Sequence, residues 1–198
     1  MKLREVIKLS SIMLNIDEVL NGDKIYDESY DLIDEKSINT SNSVEERNLN
    51  LLVKCFNLVY TELATDYFPL ITMETIKIEN GSFNLNNLSN IFYKIVKIEC
   101  NDNLVDKFDI YDNILYLKNG EYKIVYAYTP VKVSLNSELN TFNGKISDRV
   151  FAYGLNKEYC FISGLYSEAE SYRTKFEECL KSASVLKHSI KLPKRRWN

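Results

Sequence analysis

The sequence predicts an α+β fold: a helical bundle of about four main helices, an inserted small antiparallel β module and an extended C-terminal tail. Three observations lead to this prediction. Apolar residues recur at three- and four-residue steps in the first and last thirds of the chain, as along amphipathic helices. In the middle third the apolar period becomes two, and pairs of turn residues separate the runs. Near the chain end Pro193 cannot continue a helix, so its neighbours should run extended.

The changes of period divide the 198 residues into four parts. The N-terminal helices, with an acidic loop at residues 23–43, occupy residues 1–67. The β module occupies residues 68–130, the C-terminal helix pair residues 142–187, and an extended basic docking tail residues 188–198. This length suits one domain, or one domain with an inserted subdomain.

The N-terminal part begins with a predicted helix over residues 2–14 and a short helix from Asp17 that Gly22 stops. Residues 23–43 are rich in Asp, Glu, Ser and Asn and have few apolar positions. That composition predicts a solvated loop. The alternative interpretation is an acidic functional surface, which depends on the family resemblance given below.

The clearest helix of the chain opens at Ser43, which forms a capping-box pattern with Glu46 three residues on. It should run to about residue 67, where Phe68 and Pro69 end it. Each large side chain that its stripe buries contributes roughly 1.5–3 kcal/mol as an upper estimate. The stripe consists of Leu49, Leu52, Val53, Phe56, Val59, Tyr60, Leu63 and Tyr67.

The middle third contains short extended segments separated by turn residues. Asn80-Gly81 should form a turn, and Asn119-Gly120 should join the last two strands as a two-residue hairpin, because both positions tolerate positive φ. The predicted strands are residues 71–78, 93–100, 104–111, 114–117 and 121–128. In the last of them one face carries Tyr122, Ile124, Tyr126 and Tyr128.

The C-terminal helix pair begins near Arg149 and turns at residues 161–166. Ser167, with Glu170 three residues on, predicts a capping box at the start of the second helix. That helix carries an apolar stripe which should face a packing partner. The stripe consists of Ala169, Tyr172, Phe176, Cys179, Leu180 and Ala183.

The charge of the chain is small in sum but uneven in distribution. There are 25 basic and 28 acidic residues, giving a formal net charge of −3. Residues 187–198 carry five Lys and Arg and no acid, so the rest of the chain sums to −8 (20 minus 28). An acidic body argues against wrapping nucleic acid, which requires a basic face. The distribution suits a tail that binds an acidic or aromatic groove of a partner.

The sequence contains no catalytic or cofactor-binding motif that we can identify. There is no P-loop, GxGxxG, HExxH or GxSxG pattern, and His188 is the single histidine. The cysteines are 45, 60 and 19 positions apart, with no CxxC pair, which indicates free thiols in a reducing compartment and no zinc site. We therefore expect neither an enzyme nor a bound cofactor. No apolar run predicts a membrane span.

The final third is similar to a known family in its sequence pattern. The segments concerned are residues 149–154, 158–160, 164–169 and 191–197, together with Tyr172. With the order of helix pair, β insert, helix pair and basic tail, this pattern resembles the head–tail connector (adaptor) proteins of tailed bacteriophages. The resemblance is specific over about a third of the chain; the acidic segment at residues 23–43 departs from it.

The resemblance implies a structural virion protein located in the phage neck and assembled in the host cytoplasm. It implies a ring of adjacent copies, usually twelve-fold, that binds the portal protein and a tail or stopper protein. Genomic DNA would pass through the ring without specific binding, and no membrane is involved. It also implies a docking role for the tail residues Lys191, Leu192, Pro193, Lys194, Arg195, Arg196 and Trp197.

Three other interpretations remain open from the sequence. The first is another neck protein, a head-completion or tail-terminator protein. The second is a nucleic-acid-binding regulator that uses the basic tail, although five charges on a chain end would give weak, salt-sensitive binding. The third is an enzyme that uses a pair of carboxylates, which would require a deep polar pocket.

Overall fold

The computed structural model describes residues 1–32, 43–142 and 144–185, which form an α+β fold with antiparallel β-sheets. The tail at residues 188–198, with all its predicted docking residues, lies outside these ranges. In the described part no helix is both long and apolar enough to cross a membrane. Its helices are α1 (Leu3–Leu14), α2 (Asp17–Leu20), α3 (Val44–Glu62), α4 (Asp148–Ile162) and α5 (Tyr166–Val185). Its strands are β1 (Leu70–Ile78), β2 (Ser82–Asn84), β3 (Phe92–Cys100), β4 (Asn103–Leu104), β5 (Asp109–Tyr111), β6 (Ile114–Tyr116) and β7 (Gly120–Tyr128).

The described residues fall into two compact units. The first unit comprises the residues up to Phe56 and those from Ser134 onward, and the second unit comprises Asn57–Val133. The second unit is closed at its ends by a pair of hydrogen bonds between Asn57 and Val133, which we call the clamp. The Asn57 side chain donates to the Val133 carbonyl (3.1 Å), and its amide oxygen accepts from the Val133 N–H (2.8 Å).

The core of the first unit is formed by α1, α3, α4 and α5. The predicted apolar side of α1 is buried, and the ring of Phe56 packs on that of Phe151 at 5.5 Å between centroids. The predicted stripe of α5 packs on α4, where the Tyr153 and Tyr172 rings are 6.4 Å apart. Inside this core the Ser10 hydroxyl donates to the Asn156 side chain. The apolar periods at both ends of the sequence thus predicted the buried faces correctly, except that Tyr67 is exposed.

The two predicted helix starts have different outcomes. Ser43 caps α3, since its hydroxyl accepts from the Glu46 N–H at 3.2 Å. The capping box at Ser167 is wrong, because α5 has already begun at Tyr166. The Ser167 hydroxyl donates to Glu168 instead, and the Glu170 carboxylate pairs with Arg173 at 2.5 Å.

Helix α5 begins early because α4 ends in a Schellman motif that returns the chain to helix at once. Gly164 has a φ of 78°, and its N–H donates to the Phe161 carbonyl at 3.2 Å. The next N–H, of Leu165, donates to the Cys160 carbonyl at 2.9 Å. These two bonds satisfy the last carbonyls of α4 and require a left-handed residue, which glycine supplies without steric cost.

The second unit contains two antiparallel sheets around one core. The larger sheet has the strand order β1-β7-β3-β4, and the smaller has the order β2-β6-β5. The tyrosine face of β7 lies towards this core, as its alternating pattern predicted. The buried side chains are Ile76, Ile78, Leu85, Leu88, Ile98, Leu115, Tyr122, Ile124 and Tyr126.

The strand pairing corrects the prediction for the second Asn-Gly pair. Asn80 and Gly81 have φ values of 57° and 73°, so this pair forms the predicted turn, between β1 and β2. The hairpin predicted at Asn119-Gly120 is wrong, because β6 and β7 belong to different sheets. Gly120 pairs with Ile78 in the β1–β7 ladder, and the Asn119 side chain accepts from the Gly81 N–H at 2.7 Å.

The strands differ from the prediction in two further places. The continuous strand predicted at residues 104–111 is wrong: only its two ends form short strands, β4 and β5. Strand β3 carries two irregularities, between Phe92 and Lys94 and between Ile95 and Lys97. Such bulges shift the alternation of a strand by one residue each time, so Phe92, Ile95 and Ile98 all face the core side.

The described part of the acidic segment, residues 23–32, has no helix or strand and is mostly exposed, but two apolar side chains anchor it to the core. Ile25 and Leu32 are fully buried. The segment is held by Arg4 of α1, whose side chain is only 3% exposed. Its guanidinium donates to the Lys24 carbonyl (2.7 Å) and the Tyr30 carbonyl (2.5 Å).

The same guanidinium also fixes the segment that precedes α4. Arg4 donates to the side-chain oxygen of Asn136 at 2.9 and 3.2 Å. Asp31 adds a second link, because its carboxylate accepts from the Ser134 hydroxyl (2.9 Å) and the Asn136 N–H (3.1 Å). Arg4 therefore connects α1 to two otherwise irregular segments of the first unit.

We predict that Arg4→Lys and Arg4→Ala lower the free energy of unfolding by at least about 2 kcal/mol, because each leaves buried carbonyl acceptors unsatisfied. Lysine cannot reproduce the planar fork of arginine, so it should not rescue the loss. Urea unfolding of the full chain measures the effect. Arg149→Ala, at an exposed position of α4, is the matched control and should change stability little. Unchanged unfolding of both Arg4 variants would contradict this account.

Candidate interaction surfaces

The turn between α4 and α5 exposes four large apolar side chains, and we call this group the apolar turn. Phe161 and Tyr166 are 61% and 66% exposed, and their rings meet edge-on at 5.8 Å. Ile162 and Leu165 complete the group, and each is about half exposed. The Schellman motif holds these residues on a rigid helical hairpin. A rigid exposed apolar group of this kind is typical of a binding surface.

The apolar turn is surrounded by three glutamates, two of which are salt-bridged. Glu158 pairs with Lys157 at 3.0 Å, and Glu170 pairs with Arg173 at 2.5 Å. A hydrogen bond from the Ser167 hydroxyl lowers the pKa of Glu168, and hydrogen bonds from Arg173 lower the pKa of Glu170. Both carboxylates therefore remain charged at neutral pH. A groove of about 450 Å³ adjoins the turn and is lined by Lys157, Glu158, Phe161, Tyr166, Ala169, Glu170 and Arg173.

The larger β-sheet has a second exposed apolar surface on the side opposite its core, which we call the outer sheet face. Ile71 and Met73 of β1 are 55% and 59% exposed. The register places Met73 beside Val125 of β7, so these three side chains lie together. Tyr93 and Val96, at the two bulges of β3, are also exposed.

The charges at the outer sheet face are largely paired. By register, its outward positions include four lysines and two glutamates, and two further acids beside the face, Glu79 and Asp102, form salt bridges with Lys77 and Lys123. Salt bridges at this face are short, with Lys97 Nζ 2.7 Å from the Glu99 carboxylate. The charged residues are Lys77, Lys94, Lys97, Lys123, Glu99 and Glu121.

A second cavity lies within the second unit. Its volume is about 720 Å³, and it is open to solvent. Its charged lining residues carry both signs. Among the described residues, no nucleophilic side chain in this cavity is hydrogen-bonded to a base. Its lining residues are Val105, Lys107, Phe108, Asp109, Tyr116, Leu117, Lys118 and Tyr122.

The cysteine thiols have a structural role. In the described part all four cysteines are free, and Cys55 and Cys160 are buried. Burial raises the pKa of the Cys55 thiol from its ordinary value of 9.0 to about 12 and also raises the pKa of Cys160. A thiol held neutral in this way is a weak nucleophile. Among residues 1–32, 43–142 and 144–185, no cluster of three His, Cys, Asp or Glu side chains could hold a metal ion.

The sequence matches no model of a known protein family and no curated protein. Function must therefore be inferred from the two surfaces and from the sequence pattern of the C-terminal third. The predicted docking residues 191–197 lie outside the described part of the chain. The structure adds two surfaces that the sequence does not predict. The apolar residues at positions 161, 162, 165 and 166 are visible in the sequence, but there they predict only a turn.

The outer sheet face could have been found from the alternation of β1. Ile71 and Met73 alternate with the residues that face the core, so an apolar residue stands on both sides of the strand. A strand with one solvated face normally has polar residues there. For β3 no such signal exists, because its two bulges move residues between the faces.

We predict that the free energy of unfolding decreases with rising pH between about 9 and 12, partly through Cys55. In this window the unfolded thiol loses its proton while the folded thiol keeps it, so the unfolded state gains stability. The difference in free energy of unfolding between wild type and Cys55→Ala should therefore change with pH, by up to about 1.4 kcal/mol per pH unit. Urea unfolding at several pH values measures it. Cys100→Ala, at a half-exposed cysteine, is the control, and parallel curves for wild type and Cys55→Ala would contradict the prediction.

Proposed function

We propose that this protein is a structural virion protein, a head–tail connector (adaptor) of a tailed phage. It forms a ring between portal and tail and leaves a channel for DNA. The observation that carries the proposal is a pair of different exposed apolar surfaces on one chain. The apolar turn belongs to the first unit and the outer sheet face to the second unit. The C-terminal sequence pattern of connectors supports the same function.

A ring requires two different binding surfaces on each subunit. Cyclic assemblies of more than two copies use heterologous contacts, in which one face of a subunit binds another face of its neighbour. The apolar turn and the outer sheet face would serve as such a pair, because one is a helical turn and the other is the face of a sheet. In the connectors that the sequence resembles, the ring usually has twelve copies, and we propose the same number here.

The proposed subunit is a bundle of about four main helices with the β module inserted and the tail extended. Helices α1, α3, α4 and α5 supply the bundle; the contact of Phe56 with Phe151 joins α3 to α4. The inserted module is held by the clamp of Asn57 on Val133. The extended form of the tail stays a prediction from Pro193, because residues 186–198 lie outside the described part of the chain.

The tail is the proposed portal-binding device. Trp197 is the aromatic anchor, since tryptophan and arginine are enriched among residues that dominate binding energy. Arg195 and Arg196 pair with carboxylates or backbone carbonyls of the portal through their planar forks. Lys191 and Lys194 add positive charge on either side of Leu192 and Pro193.

The acidic body suits the passage of DNA through the ring. Outside residues 187–198 the chain has a formal charge of −8, so phosphates are repelled from most of its surface. DNA can then slide through without being held. A tail or stopper protein would bind on the side of the ring away from the portal.

We predict that Trp197→Ala, and deletion of residues 191–198, abolish binding to the phage portal protein and block head–tail joining. The substitution removes the aromatic anchor, and the deletion also removes its basic neighbours, while the helices and sheets of the described part are untouched. Co-purification with the portal and electron microscopy of the phage neck measure this. Arg149→Ala is the control and should bind normally.

Three results would contradict the proposal or part of it. Unfolding of the truncated protein in ordinary buffer would make the tail part of the core. Tight binding of DNA at about 150 mM salt in a gel-shift assay would favour the nucleic-acid-binding regulator instead. A ring of this chain that sits in the neck but contacts only the tail would favour the head-completion or tail-terminator alternative.

A further inference from the structure

We propose that Asn21 is a site of spontaneous deamidation, at which the side-chain amide becomes a carboxylate through a cyclic imide. Four of the six glycines of the chain directly follow an asparagine. In such a pair the nucleophile is the backbone nitrogen of the glycine, which no side chain shields. Of these asparagines, Asn143 lies outside the described residues. The other three pairs divide into one that is free to react and two that restrain each other.

The reaction requires the backbone nitrogen of Gly22 to reach the side-chain carbonyl carbon (Cγ) of Asn21. The nitrogen gives up its proton and forms a C–N bond to this carbon. The bond from the carbon to the side-chain nitrogen breaks, and that nitrogen leaves as ammonia with the released proton. Water then opens the imide at either of its carbonyls and gives aspartate or isoaspartate. Water is the only co-reactant, and no oxidation or reduction takes place.

The peptide group between Asn21 and Gly22 is free to rotate into the reactive arrangement. Asn21 follows α2 with a φ of −94° and a ψ of −4°, so this peptide must turn before its nitrogen faces the side chain. Among the described residues, neither the Asn21 carbonyl nor the Gly22 N–H has a hydrogen-bond partner. The Asn21 side chain is exposed. No hydrogen bond within the described part of the chain therefore has to break before the reaction begins.

Packing against Glu45 of α3 explains why a glycine follows Asn21. A Cβ atom at position 22 would overlap the Glu45 carboxylate. This carboxylate accepts a hydrogen bond from the Lys24 N–H at 2.8 Å. A side chain at position 22 would displace the carboxylate and cost this bond. The contact that joins this segment to α3 therefore requires the residue that also leaves the reactive nitrogen unshielded.

The other two described pairs are restrained by one hydrogen bond between them. The Gly81 N–H, whose nitrogen is the nucleophile for Asn80, donates to the side-chain oxygen of Asn119 at 2.7 Å. The same bond holds the Asn119 side chain on Gly81. It must break before the Asn119 side-chain carbonyl can turn towards the nitrogen of Gly120. Both reactions thus require a local opening of the second unit, and the reaction at Asn21 does not.

Peptide mapping of the full-length protein by mass spectrometry measures the deamidation rate at each pair. In mildly alkaline buffer the folded chain should react at Asn21 at least about tenfold faster than at Asn80 or Asn119, because the latter two must first open. In urea the three sites should react at similar rates, since only the shared local sequence remains. Similar rates in the folded chain, or a faster reaction at Asn80, would overturn the proposal.

Variants at two exposed positions test the cause of the difference. Asn119→Ala removes the acceptor of the Gly81 N–H and should accelerate the reaction at Asn80, whereas Asn119→Asp keeps an acceptor and should not. Asn21→Gln should stop the reaction at position 21, because attack on the longer side chain requires a larger ring. Circular dichroism checks that each variant is folded. An unchanged rate at Asn80 in folded Asn119→Ala would refute the protection by Asn119.

Deamidation at Asn21 should loosen the segment that follows it. Isoaspartate lengthens the main chain by one carbon before Gly22, and either product adds a negative charge next to the residue that packs on Glu45. Lys24 is held there by Glu45, by Glu46 at 2.9 Å and by Arg4 at 2.7 Å. Ion-exchange chromatography separates the deamidated protein. Its Lys24 N–H should exchange with solvent at least about tenfold faster than in the unmodified protein, and equal exchange would overturn this consequence.

Discussion

The buried guanidinium of Arg4 organises the first unit. It is almost fully removed from water, and it binds the Lys24 and Tyr30 carbonyls and the Asn136 side chain, all from segments without regular structure. Since a buried charge is costly unless it is hydrogen-bonded, these segments must adopt the positions that satisfy it. The segment at residues 23–32 is therefore ordered against α1 despite its acidic and polar composition.

Both units place their exposed apolar surfaces on rigid elements. In the first unit the Schellman motif at Gly164 fixes the apolar turn between two packed helices. In the second unit β7 is paired on both sides, so the outer sheet face has a stiff centre. Preorganised surfaces lose little conformational entropy when they bind, and this suits a protein that assembles from many identical copies. The proposed connector function depends on such repeated contacts more than on any single cavity.

The sequence predicted the structure correctly wherever the local spacing of apolar residues decided which face of an element is buried. The stripes of α1, α3 and α5 and the tyrosine face of β7 were all predicted from spacing alone. It was insufficient where the outcome depended on distant partners. Asn80-Gly81 and Asn119-Gly120 are identical as dipeptides, yet only the first forms a turn of positive φ. In the second pair Gly120 is the first residue of β7, which pairs with the nine residues of β1. The role of Arg4 depends on carbonyls 20 and 26 positions away, which no local pattern shows.

The clamp between Asn57 and Val133 gives the second unit a modular character. Its entrance and exit are held together by two hydrogen bonds, so its chain leaves the unit beside the point where it entered. A segment with adjacent ends can be gained, lost or exchanged as a block without lengthening the path of the surrounding chain. The ancestry of the two units need not be shared: a helical protein could acquire a β module of this kind by a single insertion event and diversify it independently.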